Sequence, residues 1–276
     1  MAGVPLLQEN TTKNNRSVRS SISRFTSFLS STIAGKDELT VACEKAASTH
    51  TASYSPKEKH VEFIIEQVDE NPVLIEEVLL RFSALTNWAE DAVVAIKILS
   101  SIHQIVRRVP TCLVVRSDSF VVFLDEIRNH WSAQQVVFVD QYSAALLHLV
   151  LTARQHYQLY ENTFSRGIGI SLGVSFFQGE EISVYVSKLL SFQERLLGII
   201  RIPSFPTNST QRNPALARRA SCTVIIDQCK QLLSVICYLV MHLEGLRDQE
   251  SIDTSIFREQ MDAQDKFLQS IEREFA

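Results

Sequence analysis

Apolar residues return every three or four positions along most of this chain, a period that suits helices and almost nothing else. Ala215–Leu246 shows it best. There Ile225, Cys229, Leu232, Ile236, Val240 and Leu243 make one broad face, and Asp227, Gln231, Ser234 and Tyr238 a narrow polar stripe. Asp91–Arg108 repeats the pattern with Val94, Ile98, Ile102, Ile105 and Val106. Strand-like alternation never lasts; the runs Leu113–Val115 and Val136–Val139 are short and ambiguous.

Breakers divide the pattern. Gly35, Asn71-Pro72, Pro110 and Pro203 each stop a segment. The predicted helices are Asp37–Ser48, Pro56–Val68, Val73–Leu85 with Glu76 and Glu77 toward water, and Asp91–Arg108. Phe120–Asn129, Val136–Tyr160, Ile182–Ile202, Ala215–Leu246 and Ser251–Phe275 follow. Ser165–Gly179, with four glycines, and Pro203–Pro214 read as loops. Many consecutive amphipathic helices with short links predict an all-α fold, a layered right-handed helical solenoid rather than a four-helix bundle. Residues 1–18 are polar and aperiodic and are expected to be disordered, ahead of one helical domain over 19–276.

With 45% apolar residues in 276, the chain has enough for a sizeable core. A net charge of −4 argues against a general nucleic-acid binder. The charge is uneven: no acid lies between Glu9 and Asp37, where Lys13, Arg16, Arg19, Arg24 and Lys36 are basic. That excess suits an anionic surface. Cys43, Cys112, Cys222, Cys229 and Cys237 form no C-x-x-C pair and read as reduced cytosolic thiols in the core. Met1–Asn10 lacks the basic start and apolar run of a signal peptide, and no transmembrane span is expected.

The chemically suggestive stretch is Ser55-Pro56-Lys57-Glu58-Lys59-His60, with Lys45 upstream. Ser55 suits an N-cap, Pro56 the first helical position, and Glu58 closes an S-x-x-E capping box. Lys57, Lys59 and His60 then crowd a helix N-terminus, whose backbone N–H groups and dipole favour a phosphate. The alternative is a capped surface helix whose lysines meet only water.

Cys43-Glu44-Lys45-Ala46-Ala47-Ser48, a short loop, then Pro56-Lys57-Glu58-Lys59-His60-Val61, resembles the lipid-binding signature of the ANTH domain of the clathrin assembly protein family, CALM-like but divergent. Asn87-Trp88, Ala95-Ile96-Lys97-Ile98-Leu99 and Ile102-His103 are similar to further landmarks of that family. Glu58 interrupts a run that is often basic there, a departure that bears on headgroup specificity rather than on fold. The resemblance implies an ENTH/ANTH-like superhelix over residues 19–276 that binds a phosphoinositide such as phosphatidylinositol 4,5-bisphosphate through Lys45, Lys57, Lys59 and His60. It implies a peripheral protein of the cytoplasmic membrane face, acting at clathrin-coated pits or vesicles in endocytosis and vesicle traffic. It also implies clathrin coat components and SNARE helices as partners, the latter along Ala215–Phe275. The chain ends near where such a domain is expected to end, before the tail that carries clathrin motifs in the family, so direct clathrin contact is not expected from these residues.

Magnitude asks for more than the lysines. At about 1 kcal/mol per basic residue near an anionic surface, three give about 3 kcal/mol, weaker than millimolar. A second contribution is needed: an amphipathic segment over 19–34, with Ile22, Phe25, Phe28 and Leu29 entering the membrane, is one candidate, and direct hydrogen bonds to the headgroup phosphates are another. The alternative for that segment is an ordinary packing helix.

Two readings from other classes stand beside this one. A lipid-independent helical scaffold would bind protein partners only. A serine hydrolase would use Ser171 of Gly169-Ile170-Ser171-Leu172-Gly173, followed in hydrolase order by Asp227 and His242, but it needs a strand before the serine, and none is predicted. The seven histidines show no metal-ligand spacing, and no phosphate-cradling glycine motif occurs, so no metal or cofactor is expected. His103, His148 and His156 read as structural or surface residues.

Overall fold

The computed structural model describes residues 37–48, 55–164, 177–203, 214–246 and 253–275. By backbone contacts Leu39–Ala276 is one compact unit. The expected tail over 1–18, the segment 19–34 and Ser171 lie outside the described residues.

Every regular element among the described residues is helical. In chain order they are α1 (Glu38–Ala47), α2 (Glu58–Glu70), α3 (Ile75–Ala84), α4 (Ala92–Arg108), α5 (Thr111–Val115) and α6 (Ser117–Ala133). Then come α7 (Val137–Gln155), α8 (Tyr157–Phe164), α9 (Gly179–Arg201), α10 (Pro214–Leu246) and α11 (Ser255–Phe275). Short 3₁₀ turns at Pro72–Leu74 and Thr86–Trp88 join α2 to α3 and α3 to α4.

Each helix packs mainly on near neighbours in the chain: α6 on α7, α7 on α9, α9 on α10 and α11. This is an all-α helical solenoid. The middle is α4, which contacts α2, α7 and α10. Asp91 caps it, its carboxylate accepting from the Val93 N–H at 2.9 Å. From Val93 to His103 every residue is buried, Lys97 and His103 included. The predicted face of α10 is buried, while Asp227 and Ser234 are exposed. Its stretch Ser221–Leu246 is long and apolar enough to cross a membrane, but half of it is buried within the protein, against α9, α11 and α4, which accounts for its apolarity.

Several boundaries depart from expectation. α2 begins at Glu58 with Lys57 at the N-cap and no capping bond from the Lys57 side chain, so Ser55 is two residues outside the N-cap position the capping box assigned it. Val73–Leu85 is not one helix: Asn71 accepts from the Val73 N–H at 3.3 Å and starts a 3₁₀ turn before α3. Leu113–Val115 lies in the short helix α5, where Pro110 precedes the first turn and Cys112 and Leu113 are buried. Val136–Val139 is the start of α7. Val136–Tyr160 splits at His156, whose backbone leaves the helical region (φ −122°, ψ 45°), and α8 starts beyond it.

α6 continues past Asn129 to Ala133 and ends in a left-handed residue, Gln135 (φ 59°). The Val136 N–H returns to the Trp131 carbonyl at 3.0 Å and the Gln135 N–H to Ser132 at 3.0 Å, a Schellman closure with glutamine where glycine is usual. Cys43, Cys112, Cys222 and Cys229 are buried and Cys237 half-buried, all as free thiols.

Candidate anion-binding site

The C-terminal end of α1 and the N-terminal end of α2 carry the predicted cations. Lys45 lies in the last turn of α1 and is exposed, and a cation there suits the negative end of the helix dipole. Lys57 is half-buried at the N-cap of α2, after buried Pro56. Lys59 is exposed and His60 half-buried in the first turn.

The His60 imidazole is pushed below the ordinary 6.5, first by burial, then by the charges of Lys59, Lys45 and Lys57. Cations from two helix ends thus act on one ring. An arriving phosphate would offset their repulsion of the imidazolium and favour proton uptake by His60. Neutral, the ring still offers one N–H donor.

The α4 residue Lys97 belongs to the same neighbourhood. Its Nζ donates to the Ser48 carbonyl, just beyond the end of α1, at 2.7 Å, and the residue is only 2% exposed. Burial lowers its pKa to about 8, Asp91 pulling it back up and Lys57 pushing it further down. Sequence reasoning placed Lys97 on a helix but assigned it no part in the site. The available signal was a lone lysine inside the apolar run Val93–Ile98.

Several other basic residues are paired with acids of the chain. Arg108 pairs with Glu62 of α2 at 2.6 Å, Arg116 with Glu76 at 2.9 Å, and Arg154 with Asp118 at 2.7 Å. His103 is 1% exposed, its Nδ1 is 2.9 Å from the Tyr142 hydroxyl, and its ring stands edge-on to Phe192. Burial holds it near pKa 3, a neutral core residue, in line with its structural reading. His148 and His156 are half-buried, with Nε2 of His148 at 3.3 Å from the Lys188 carbonyl and the His156 ring against Tyr185.

The hydrolase constellation fails on geometry. Asp227 and His242 both sit on α10, fifteen positions apart, so at 1.5 Å per residue they are separated by about 22 Å along the axis. They cannot orient one another as a triad requires. The described flanks of Ser171 are also helices, α8 and α9. No group of three or more His, Cys, Asp or Glu side chains placed to hold a metal occurs among the described residues. One hollow of about 360 Å³ lies between α9 and α11, lined by Leu190, Leu197, Arg201, Ile256, Phe257 and Gln264 among others.

No family model and no curated protein matches the sequence. A solved structure is similar: the ENTH domain from epsin-2 in complex with phosphatidylinositol 4,5-bisphosphate. Its TM-score is 0.55 and its identity 17%, over 83% of this chain and 88% of that one. At that identity the likeness is one of fold, and the fold of this chain is of the ENTH kind.

Proposed function

We propose that this chain is a phosphoinositide-binding adaptor module of the cytoplasmic membrane face, working in clathrin-mediated traffic. The observation that supports the reading is that Lys45, in the last turn of α1, and Lys57 and Lys59, at the start of α2, all act by charge on His60. The epsin-2 domain, similar in fold, is a phosphatidylinositol 4,5-bisphosphate binder, which supports the ligand class. Lys45, Lys57 and Lys59 would give compact point charges to the headgroup phosphates, and His60 a donor whose charge follows pH. No residue here takes a catalytic role.

Ile22, Phe25, Phe28 and Leu29 would add apolar insertion. Phe25→Ser with Phe28→Ser is expected to weaken vesicle binding while leaving the helical content unchanged; equal binding would remove insertion from the proposal. CALM-like clathrin and SNARE contacts rest on the sequence resemblance alone.

The decisive experiment is co-sedimentation with vesicles containing or lacking phosphatidylinositol 4,5-bisphosphate, comparing the wild type with Lys57→Glu/Lys59→Glu. Lipid-dependent binding that the double variant loses supports the headgroup site. A folded wild type that ignores the lipid would favour the second reading, a protein-binding scaffold. The observation on that side is the hollow between α9 and α11, with Ile256 exposed on its lining.

A further inference from the structure

We propose that Lys97 is a positioning residue of this site: it fixes the C-terminal end of α1, and through it Lys45, against the N-terminal end of α2. The inference rests on the phosphoinositide reading above and assigns Lys97 a part in it.

α1 is tied from two sides. Near its start, Arg81 of α3 donates from Nε to the Thr40 hydroxyl at 2.7 Å. Beyond its end, Lys97 of α4 donates from Nζ to the Ser48 carbonyl at 2.7 Å, across 49 residues of sequence. Lys45 is one turn before that second tie. The last carbonyls of a helix have no partner inside it, and a cation is the group best suited to meet them.

Burying an ammonium is costly, and an apolar side chain of similar size would fill the same space without that cost. What the lysine adds is a long-range bond to the end of α1. The residue is 2% exposed and its Nζ donates to the Ser48 carbonyl, so its effect on a headgroup runs through the placement of Lys45. The charged groups acting on it are Asp91, at the start of its own helix, and Lys57, at the start of α2. The lowered pKa of about 8 comes first from burial of the ammonium.

A double-mutant cycle tests this on vesicles of phosphatidylcholine with and without phosphatidylinositol 4,5-bisphosphate. Lys45→Ala and Lys97→Met should each weaken binding about fivefold, the worth of one basic residue at an anionic surface. If Lys97 acts through Lys45, the double variant is no weaker than either single one. Multiplying losses, about 25-fold in the double variant, would overturn the proposal, as would wild-type binding by Lys97→Met. Lys97→Leu serves in the same cycle where the methionine variant does not fold.

Amide hydrogen exchange over residues 43–48 reads the tie without any lipid. Faster exchange in Lys97→Met, but not in Thr40→Val, which releases only the other tie, supports it; unchanged exchange overturns it. A wild type that binds no phosphoinositide would fail the functional reading instead, and the exchange data would then judge the tie alone.

Discussion

Helices α2 and α4 pack against each other, yet their N-termini are built in opposite ways. At α4, Asp91 places a carboxylate on the Val93 N–H, as the dipole prefers. α3 and α9 agree, with Glu76 and Glu77 in one first turn and Glu180 and Glu181 in the other. At α2, Lys57 occupies the N-cap, and Lys59 and His60 follow, with Glu58 between them. A cation in that place costs about 0.3–1 kcal/mol. α6 also has a cation at its N-cap, but there Arg116 pairs with Glu76 at 2.9 Å, whereas at α2 the proposed headgroup phosphate would play that part.

The largest test of that contrast reverses the charges. Lys57→Glu/Lys59→Glu changes the local charge by four units, so phosphoinositide binding should fall about a thousandfold, at about 1 kcal/mol per unit. The same change obeys the dipole rule, so the melting temperature should rise by about 2–4 °C. Vesicle binding and a thermal melt measure both. A lower melting temperature in the variant would show that the lysines stabilise the fold, and the contrast would lose its meaning.

Next in size is a control on α4. His103 is buried and neutral, with its pKa near 3 against an ordinary 6.5. As pH falls from 6.5 toward 3, the unfolded chain takes up the proton more readily, so the native state loses stability over that window. His103→Leu should cost about 1–3 kcal/mol at neutral pH, because the Tyr142 hydroxyl loses a partner. It should also flatten the acid dependence in denaturant titrations and leave lipid binding as it was. A matching loss of binding would mean that the core node and the site are coupled.

Asp91→Ala removes the α4 cap and should cost about 1 kcal/mol of stability. It also removes the charge that holds the Lys97 pKa up, so titration of Lys97 should move below 8. NMR of the labelled lysine reads the shift; an unmoved titration would break the electrostatic link between the two helix starts.

The smallest effect concerns pH at the site. Because burial and then the lysines depress the His60 pKa, and a phosphate would relieve the lysines, binding should take up protons and strengthen a few-fold as pH falls toward that lowered pKa. Calorimetry in buffers of different ionisation enthalpy measures the uptake. Binding without proton uptake would leave His60 as a neutral donor.

Much of the fold was legible in advance, and the reason is local. The periods of α4 and α10 and the stop at Asn71-Pro72 come from residues within a few positions of one another. One break was missed and one helix end was displaced. His156 interrupts a pattern that reads as continuous, with its ring against Tyr185 of α9. Gln135 takes a left-handed turn that glutamine does not announce.

The site divides along the same line. The sequence by itself determined the chemistry on offer: Lys57, Lys59 and His60 are neighbours in the chain, and three cations at a helix start are visible in any listing of residues. Only the tertiary structure decided that the charge of Lys45 acts on the same ring, because that depends on where α1 ends relative to α2. It alone decided that Lys97 is buried on the Ser48 carbonyl. Backbone carbonyls carry no sequence signature, and a bond spanning 49 residues is set by packing rather than by pattern.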